Sequence, residues 1–170
     1  MNLKKNLVFL GMMGSGKSSI GLLVSKKLKL KFFDIDNIIE DESNMKISTI
    51  FEKKGENYFR NLEEKITLKT LKKNICVVSL GGGGFINENI RKDVLTNHCS
   101  FWLHWNTEVL LKRIKHSQKR PLAIKSTNLE IKNLIKNRSK VYSKAKFTIN
   151  CNKLTKAEIV KKIIKIYEIS

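Results

Sequence analysis

Hydrophobic residues occur along the chain in two patterns, short continuous runs and recurrence at helical spacing. The alternation of these two patterns predicts the secondary structure. Short apolar runs predict buried strands at residues 3–10, 31–36, 75–80, 99–103 and 147–150. Between these runs apolar residues recur at helical spacing, which predicts helices from residues 17, 37, 48, 56, 87, 107, 129 and 155. Strands that alternate with helices indicate a parallel sheet covered on both faces. The expected fold is therefore α/β, a three-layer α/β/α sandwich around five parallel strands.

Polar residues and glycines predict where several helices begin and end. Asn44 suits a left-handed turn, and Gly55 is expected to stop a short helix that starts at Ser48. Three further polar residues are predicted N-terminal caps: Asn87, Thr107 and Thr155.

A phosphate-binding motif joins the first strand to the first helix. Residues 11–18 read Gly-Met-Met-Gly-Ser-Gly-Lys-Ser and fit G-x-x-x-x-G-K-[ST]. Glycines let backbone N–H groups turn inward around phosphate oxygens, and the helix N-terminus adds partial positive charge. Lys17 is expected to reach the β- and γ-phosphates, and Ser18 to ligate Mg²⁺. The motif predicts a nucleotide site.

Two acids follow one helix later, at Asp34 and Asp36. On an extended strand their alternation would place both on one side, about 6–7 Å apart. The carboxyl end of a parallel strand lies at the edge where the phosphate loop binds ligands. A surface turn also tolerates this pattern, but its position favours a site for a metal and a hydroxyl group.

Three other stretches are candidates for ligand contacts. Arg60 and Glu63 lie three residues apart on a predicted helix, where the carboxylate can steer the guanidinium, although a surface ion pair has the same spacing. Gly81–Gly84 follow the third strand and permit close backbone approach to a ligand, or form a flexible turn. Residues 115–128 are polar, contain the only proline and predict a mobile lid.

Length and composition narrow the class of protein. The 170 residues, 41% of them apolar, suit one globular domain, here residues 1–170. No apolar run reaches the length of a membrane span, and the N-terminal run is too short for a secretory signal, so we expect a cytoplasmic protein. Cys76, Cys99 and Cys151 have no metal-ligand spacing and are expected to be buried, reduced thiols.

The net charge of +19 suggests a nucleic-acid partner. The lysines are spread along the whole chain, however, which favours a solvated coat over a binding face. Only five of the 34 basic residues are arginine. In such a lysine-rich chain each arginine is a candidate for a place where a planar, bidentate fork is needed. These positions are Arg60, Arg91, Arg113, Arg120 and Arg138.

Taken together, these motifs resemble those of the shikimate kinases, almost from end to end. The resemblance rests on the phosphate loop, D-x-D, I-F-x-x-x-G-E-x-x-F-R-x-x-E at residues 50–63, G-G-G after the third strand, R-P-L at 120–122 and R-x-x-x-Y at 138–142. The pattern at 50–63 is the specific one, because a phosphate loop alone indicates only a nucleotide. The resemblance implies a P-loop kinase fold of the nucleoside-monophosphate-kinase type, with a mobile lid. It also implies transfer of the γ-phosphoryl group of ATP to the 3-hydroxyl of shikimate, with Mg²⁺.

On the nucleotide side, the resemblance implies that Arg113 packs on adenine and that Arg120 reaches the transferred phosphoryl group from the lid. Lys153 is a further candidate for the adenine. Ser18 and Asp34 would hold the metal. The residues that would bind ATP phosphates are Gly14, Ser15, Gly16, Lys17, Ser18 and Ser19.

On the acceptor side, the resemblance implies a shikimate-binding region at residues 34–63. Asp36 would bind the hydroxyl and act as the base, so that Asp36, Lys17 and Arg120 form the catalytic set. Arg60 and Arg138 would clamp the carboxylate, and Gly82 would donate a backbone N–H. Glu63 would orient Arg60, while Phe51 and Phe59 would wall the ring.

The chain departs from the family pattern at four places: Ala123, Lys140, Ala145 and residues 150–153. Two alternatives stay open at this point. One is another small-molecule kinase of the same fold, acting on gluconate or a nucleoside monophosphate. The other is a non-catalytic basic protein that binds nucleotide or nucleic acid. The expected partners are ATP and shikimate, with no nucleic acid and no membrane, and the expected state is a monomer.

Overall fold

The computed structural model describes residues 5–115 and 126–170, whose strands form one parallel sheet. The strands occur in the order β2-β3-β1-β4-β5, and every neighbouring pair is parallel, which confirms the predicted sheet of five parallel strands. Their bounds are β1 Leu7–Leu10, β2 Lys31–Asp34, β3 Cys76–Ser79, β4 Cys99–His104 and β5 Phe147–Asn150.

Seven α-helices lie in the described ranges, together with a short 3₁₀ turn at Gly84–Ile86. None of them combines the length and the apolar character that crossing a bilayer requires. Their bounds are α1 Lys17–Leu28, α2 Ile35–Ser43, α3 Ile47–Leu71, α4 Glu88–Asn97, α5 Thr107–Lys115, α6 Asn128–Tyr142 and α7 Lys156–Glu168.

Side-chain alternation on β1 divides the core into the two halves of a three-layer sandwich. Leu7 and Phe9 pack with α1 and α7 on one face of the sheet. Val8 and Leu10 pack with α2 to α6 on the other face. All four side chains are fully buried, as expected for a central strand with helices on both sides.

The three cysteines are buried and free, as predicted. Burial raises the pKa of both the Cys76 and the Cys151 thiol to about 11. These thiols therefore stay protonated near neutral pH and act as small hydrophobic side chains.

The prediction that the second strand continues to Asp36 is wrong. β2 ends at Asp34, whose carboxylate accepts hydrogen bonds from the N–H groups of Asp36 at 3.1 Å and Asn37 at 3.4 Å. This is an N-terminal cap, and it turns the chain directly into α2. The two acids therefore do not share one side of a strand, because Asp36 lies in the first turn of a helix.

The start of α3 also differs from the prediction, because Lys46 and not Ser48 precedes the helix. The first helical N–H, that of Ile47, donates to the Glu40 carboxylate at 3.0 Å, so a side chain from α2 does the capping. At Gly55 the backbone leaves helical geometry, with φ 81° and ψ 170°, and the helix then resumes. The predicted stop is thus present as a break inside one long element.

The remaining helix ends agree more closely with the sequence. Asn44 is left-handed with φ 50°, and both Asn87 and Thr155 cap their helices with side-chain oxygens. α5 differs slightly, since Thr107 is its first residue and Asn106 stands before it.

The candidate site lies at the carboxyl ends of four strands, β1 to β4. β1 lies between β3 and β4, so the phosphate loop after β1 is flanked by Gly81–Gly84 after β3 and by Trp105 after β4. Asp34 ends β2 at the same edge. Ligands of open α/β sheets bind at this kind of position, where the strand order reverses.

Candidate active site

The phosphate loop has the backbone that its glycines permit. Gly14 has φ 78° and Gly16 has φ 89°, in a region that L-residues with a Cβ rarely adopt. Gly16 is also the N-terminal cap residue of α1. Lys17 is 7% exposed, and its ammonium group donates to the carbonyls of Gly11 at 2.8 Å and Met12 at 3.0 Å. A buried cation thus lies beside the helix N-terminus.

A cavity of about 770 Å³ opens beside this loop. It is lined by residues from both halves of the predicted site, which lie far apart in the sequence. From the metal and hydroxyl side come Ser18, Asp34 and Asp36. From the carboxylate side come Arg60, Gly82 and Arg138, with Phe51 and Phe59 on the wall. Glu40 and Lys46 line it as well, and the sequence motifs did not single them out.

Arg60 is held between two carboxylates of its own helix. Its Nη1 donates to Glu63 at 2.7 Å, and its Nε and Nη2 both donate to Glu56 at 3.2 Å. The Glu63 contact is the one that the spacing predicted. The Glu56 contact was missed, although its i,i+4 spacing was readable in the sequence. The two contacts fix the direction of the guanidinium at the cavity.

Glu63 is a buried acid, with 2% of its side chain exposed. Burial raises the pKa of the Glu63 carboxyl, Arg60 opposes that rise, and the nearby Asp36 charge adds to it. Its Oε1 atom has no hydrogen-bond partner among the described residues. Only one oxygen of the Glu63 carboxylate, Oε2, therefore accepts a hydrogen bond from Arg60.

The glycine run after β3 makes room for these charged side chains. A Cβ on Gly81 would lie 2.5 Å from Glu63 Oε1 and 2.7 Å from Asp36 Oδ1, and one on Gly83 would collide with the Arg60 guanidinium. None of the four glycines has a left-handed φ. Close packing against Asp36, Arg60 and Glu63 therefore explains Gly81 and Gly83, whereas a Cβ on Gly82 or Gly84 would meet its nearest neighbours at 3.4–3.5 Å.

Helix α6 anchors the same glycine run from the other side. Arg138 Nη1 donates to the Gly82 carbonyl at 3.3 Å, and the Tyr142 hydroxyl donates to the same carbonyl. Tyr142 is 1% exposed, and burial raises its pKa to about 12, so it remains a neutral donor at physiological pH. The R-x-x-x-Y spacing thus places both side chains on one backbone oxygen.

On the nucleotide side, Arg113 stacks on Trp105, with its guanidinium carbon 3.8 Å from the ring centroid. Arg113 also donates to the Gly14 carbonyl at 3.4 Å. Trp105 was missed by sequence reasoning. The available signal was an aromatic residue directly after β4, at the ligand-binding edge of the sheet.

Two other residues were predicted to contact the nucleotide, Lys153 and Arg120. Lys153 is exposed in the turn between β5 and α7. The neighbouring Asn152 side chain accepts from the Asn106 N–H at 2.7 Å and ties this turn to the start of α5. Arg120 and Ala123 lie outside the described residues, as does most of the predicted lid at 115–128.

The donors available for a cation suit magnesium. Ser18 offers a hydroxyl and Asp34 a carboxylate, and both line the cavity. Within residues 5–115 and 126–170 there is no group of three or more His, Cys, Asp or Glu side chains that could hold a metal. Mg²⁺ is commonly bound by one or two carboxylates together with water and substrate phosphates, so the set fits that ion.

The comparisons by sequence agree on one family. The family model described as shikimate kinase matches residues 13–168. A shikimate kinase of Sulfurihydrogenibium sp. is 42% identical over 160 residues, which cover 94% of this chain and 96% of that protein.

Two solved structures extend the agreement. The shikimate kinase of Acinetobacter baumannii in complex with shikimate superimposes with a TM-score of 0.89 at 27% identity, over 95% of this chain and 92% of that one. The shikimate kinase of Aquifex aeolicus gives 0.86 at 36% identity, over 96% of each chain.

Proposed function

The chain belongs to the shikimate kinase family, and we propose that it phosphorylates shikimate in the cavity between its phosphate loop and its two clamping arginines. The chain is an ATP-dependent phosphotransferase that acts on a hydroxyl of shikimate, in aromatic biosynthesis. One observation carries the assignment to this site. Ser18 and Asp36 line the same cavity as Arg60 and Arg138, so a phosphoryl donor and a carboxylate-bearing acceptor would meet there.

ATP would bind with its phosphates in the loop at residues 14–19. Lys17 would exchange its bonds with the carbonyls of Gly11 and Met12 for phosphate oxygens. Phosphoryl transfer needs in-line placement and compensation of charge on the phosphoryl oxygens more than covalent help. Lys17 and Arg120 would supply that charge, and Arg113 would pack on the adenine.

Shikimate would bind with its carboxylate between Arg60 and Arg138. An arginine can form two parallel hydrogen bonds to a carboxylate, which fixes orientation as well as position. Arg60 is already aimed by Glu56 and Glu63, so little side-chain freedom is lost on binding. Gly82 would add a backbone N–H, and Phe51 and Phe59 would pack against the ring.

Asp36 would hold the 3-hydroxyl and accept its proton as the bond from the hydroxyl oxygen to the γ-phosphorus forms and the bond from that phosphorus to ADP breaks. Asp36 lies in the first turn of α2 and lines the cavity together with Ser18. The ionised carboxylate is the form that can accept a hydrogen bond from the hydroxyl and later its proton.

Ser18 and Asp34 would hold Mg²⁺. When bound, the ion offsets charge on the phosphate oxygens of ATP. The protein is proposed to act as a monomer in the cytoplasm, where ATP is supplied. Light scattering coupled to size-exclusion chromatography tests the first point, and metal titration of activity after chelation tests the ion.

The reaction is tested by ADP release with shikimate, quinate, gluconate and nucleoside monophosphates as acceptors. We expect activity with shikimate and a product phosphorylated once. Asp36→Asn should lose turnover while keeping shikimate affinity, and the matched control Asp41→Asn changes an exposed acid of the same helix. A preference for gluconate or a nucleotide acceptor would refute the substrate, and full turnover by Asp36→Asn would refute the base.

A further inference from the structure

Trp105 stands at the junction of β4 and α5 and makes two directed contacts on the nucleotide side. Its ring supports the Arg113 guanidinium, and its indole N–H donates to the Ser15 carbonyl in the phosphate loop. The ring also packs against the hydrophobic cores on both faces of the sheet. A side chain fixed in this way can hold other groups in place.

The ring face controls the direction of Arg113. The guanidinium carbon lies 3.8 Å from the ring centroid, which is within the range of a cation–π contact. Arg113 is exposed, and its hydrogen bond to the Gly14 carbonyl is long at 3.4 Å, so without the ring the side chain would keep much of its rotamer freedom. Contact with the Trp105 ring covers one side of the guanidinium and leaves its other side available to a planar base.

The ring edge controls one peptide of the phosphate loop. The Trp105 Nε1 to Ser15 oxygen distance is 2.9 Å, across 90 residues of sequence. In a trans peptide the C=O and the following N–H point in opposite directions. Holding the Ser15 carbonyl towards Trp105 therefore fixes the orientation of the Ser15–Gly16 peptide and turns the Gly16 N–H away from Trp105.

We propose that Trp105 is a positioning residue for a purine nucleoside triphosphate, setting the base platform through Arg113 and the phosphate loop through Ser15. This inference rests on the proposed function, because it assumes that the loop binds ATP and that Arg113 meets the base. A purely structural Trp105 would affect stability without separating these two parts of the ligand.

Two substitutions separate the ring face from the ring edge. Trp105→Phe keeps an aromatic face but has no N–H, and Trp105→Leu has neither. Binding is measured by titration calorimetry with ADP and with inorganic tripolyphosphate, in one magnesium-containing buffer, after circular dichroism has shown that each variant is folded. Tripolyphosphate reports on the loop alone because it has no base.

Trp105→Phe should weaken ADP and tripolyphosphate alike, by roughly two- to tenfold, the size of one hydrogen bond. Trp105→Leu should weaken tripolyphosphate to the same extent and ADP by a further factor of roughly two to five, the size of an exposed cation–π contact. The preference for ADP over tripolyphosphate should thus fall only in the Leu variant. The KM for shikimate should stay unchanged in both.

Coupling to Arg113 gives an independent check. In an Arg113→Ala background, the Phe and Leu variants should bind ADP equally, because the platform is already absent. Lys112→Ala removes a neighbouring exposed cation of the same helix and should leave the difference intact.

Wild-type ADP affinity in Trp105→Leu, or an equal loss of both ligands in that variant, would overturn the inference. Shikimate turnover by the wild-type protein tests the proposed function separately. An active wild type with no effect at Trp105 would therefore refute this inference alone.

Discussion

Replacing Arg138 by lysine should damage the use of shikimate even though the positive charge remains. Arg138 lines the cavity from α6, and its Nη1 already donates to the Gly82 carbonyl at 3.3 Å. A guanidinium can keep that bond and still present other N–H groups to a carboxylate. A lysine ammonium is a single point charge and cannot reproduce the planar fork.

The expected loss follows from one charge-assisted hydrogen bond. Such a bond is worth about 1.5–3 kcal/mol. At about 1.4 kcal/mol per factor of ten, shikimate affinity should fall roughly ten- to a hundredfold. ATP affinity should hardly change, because Arg138 is proposed to contact the acceptor and not the nucleotide.

Steady-state kinetics with each substrate varied in turn measure the effect, and direct titration gives the shikimate dissociation constant. The matched control is Lys140→Arg, two residues along the same helix, where the side chain is exposed and a fork should make no difference. If Arg138→Lys shifts the ATP constant and spares shikimate, the acceptor site has been placed on the wrong side of the cavity.

Three further substitutions test other parts of the site. Lys17→Ala should fold, as circular dichroism would show, but lose roughly 10²–10³ in turnover, and wild-type-like turnover would refute the phosphate-loop role. The melting temperatures of Glu63→Gln and of the wild type, measured at a series of pH values, test the raised pKa of Glu63. Burial raises the pKa of Glu63 from 4.5, so the wild-type native state loses stability as the pH rises through the raised value. Gln does not titrate, so the melting temperature of the variant relative to wild type should increase over that range, whereas a constant difference would contradict the shift. Gly81→Ala should lower both turnover and melting temperature because its Cβ would lie 2.5 Å from Glu63 Oε1, while Gly84→Ala, with its nearest neighbours at 3.5 Å, is the tolerated control; equal effects would contradict the packing argument.

Most of the sheet was predictable because each strand is a short apolar run and each helix an amphipathic one. The end of β2 was not predictable, because the alternation of apolar and acidic residues from Phe33 to Asp36 is compatible with a strand as well as with a capped helix start. The Asp34 carboxylate decides between the two by bonding to the N–H groups that follow it. A local hydrogen bond therefore overrides a pattern that periodicity alone cannot resolve.

The parts of the site that are local in sequence were also predictable. The phosphate loop lies within eight consecutive residues, and Arg60 and Glu63 share one helical face. Contacts between residues far apart in the sequence were not predictable. Arg138 and Gly82, for example, are 56 residues apart, and no periodicity links them. Trp105 and Ser15 are separated still further. The ligand-binding roles of the motif residues remain predictions for the assays above.

The central place of β1 has a consequence for synthesis on the ribosome. Leu7 pairs with Val77 on one side and with Cys99 on the other, so both partners of the first strand are made much later. Val77 follows Leu7 by 70 residues, which takes about 4–14 s at typical translation rates of about 5–20 residues per second. During that interval an entirely apolar strand leaves the exit tunnel with neither edge paired. The first strand of a nascent chain thus stays without its native partners until β3 and β4 have emerged, and slower elongation between β1 and β4 would lengthen that interval.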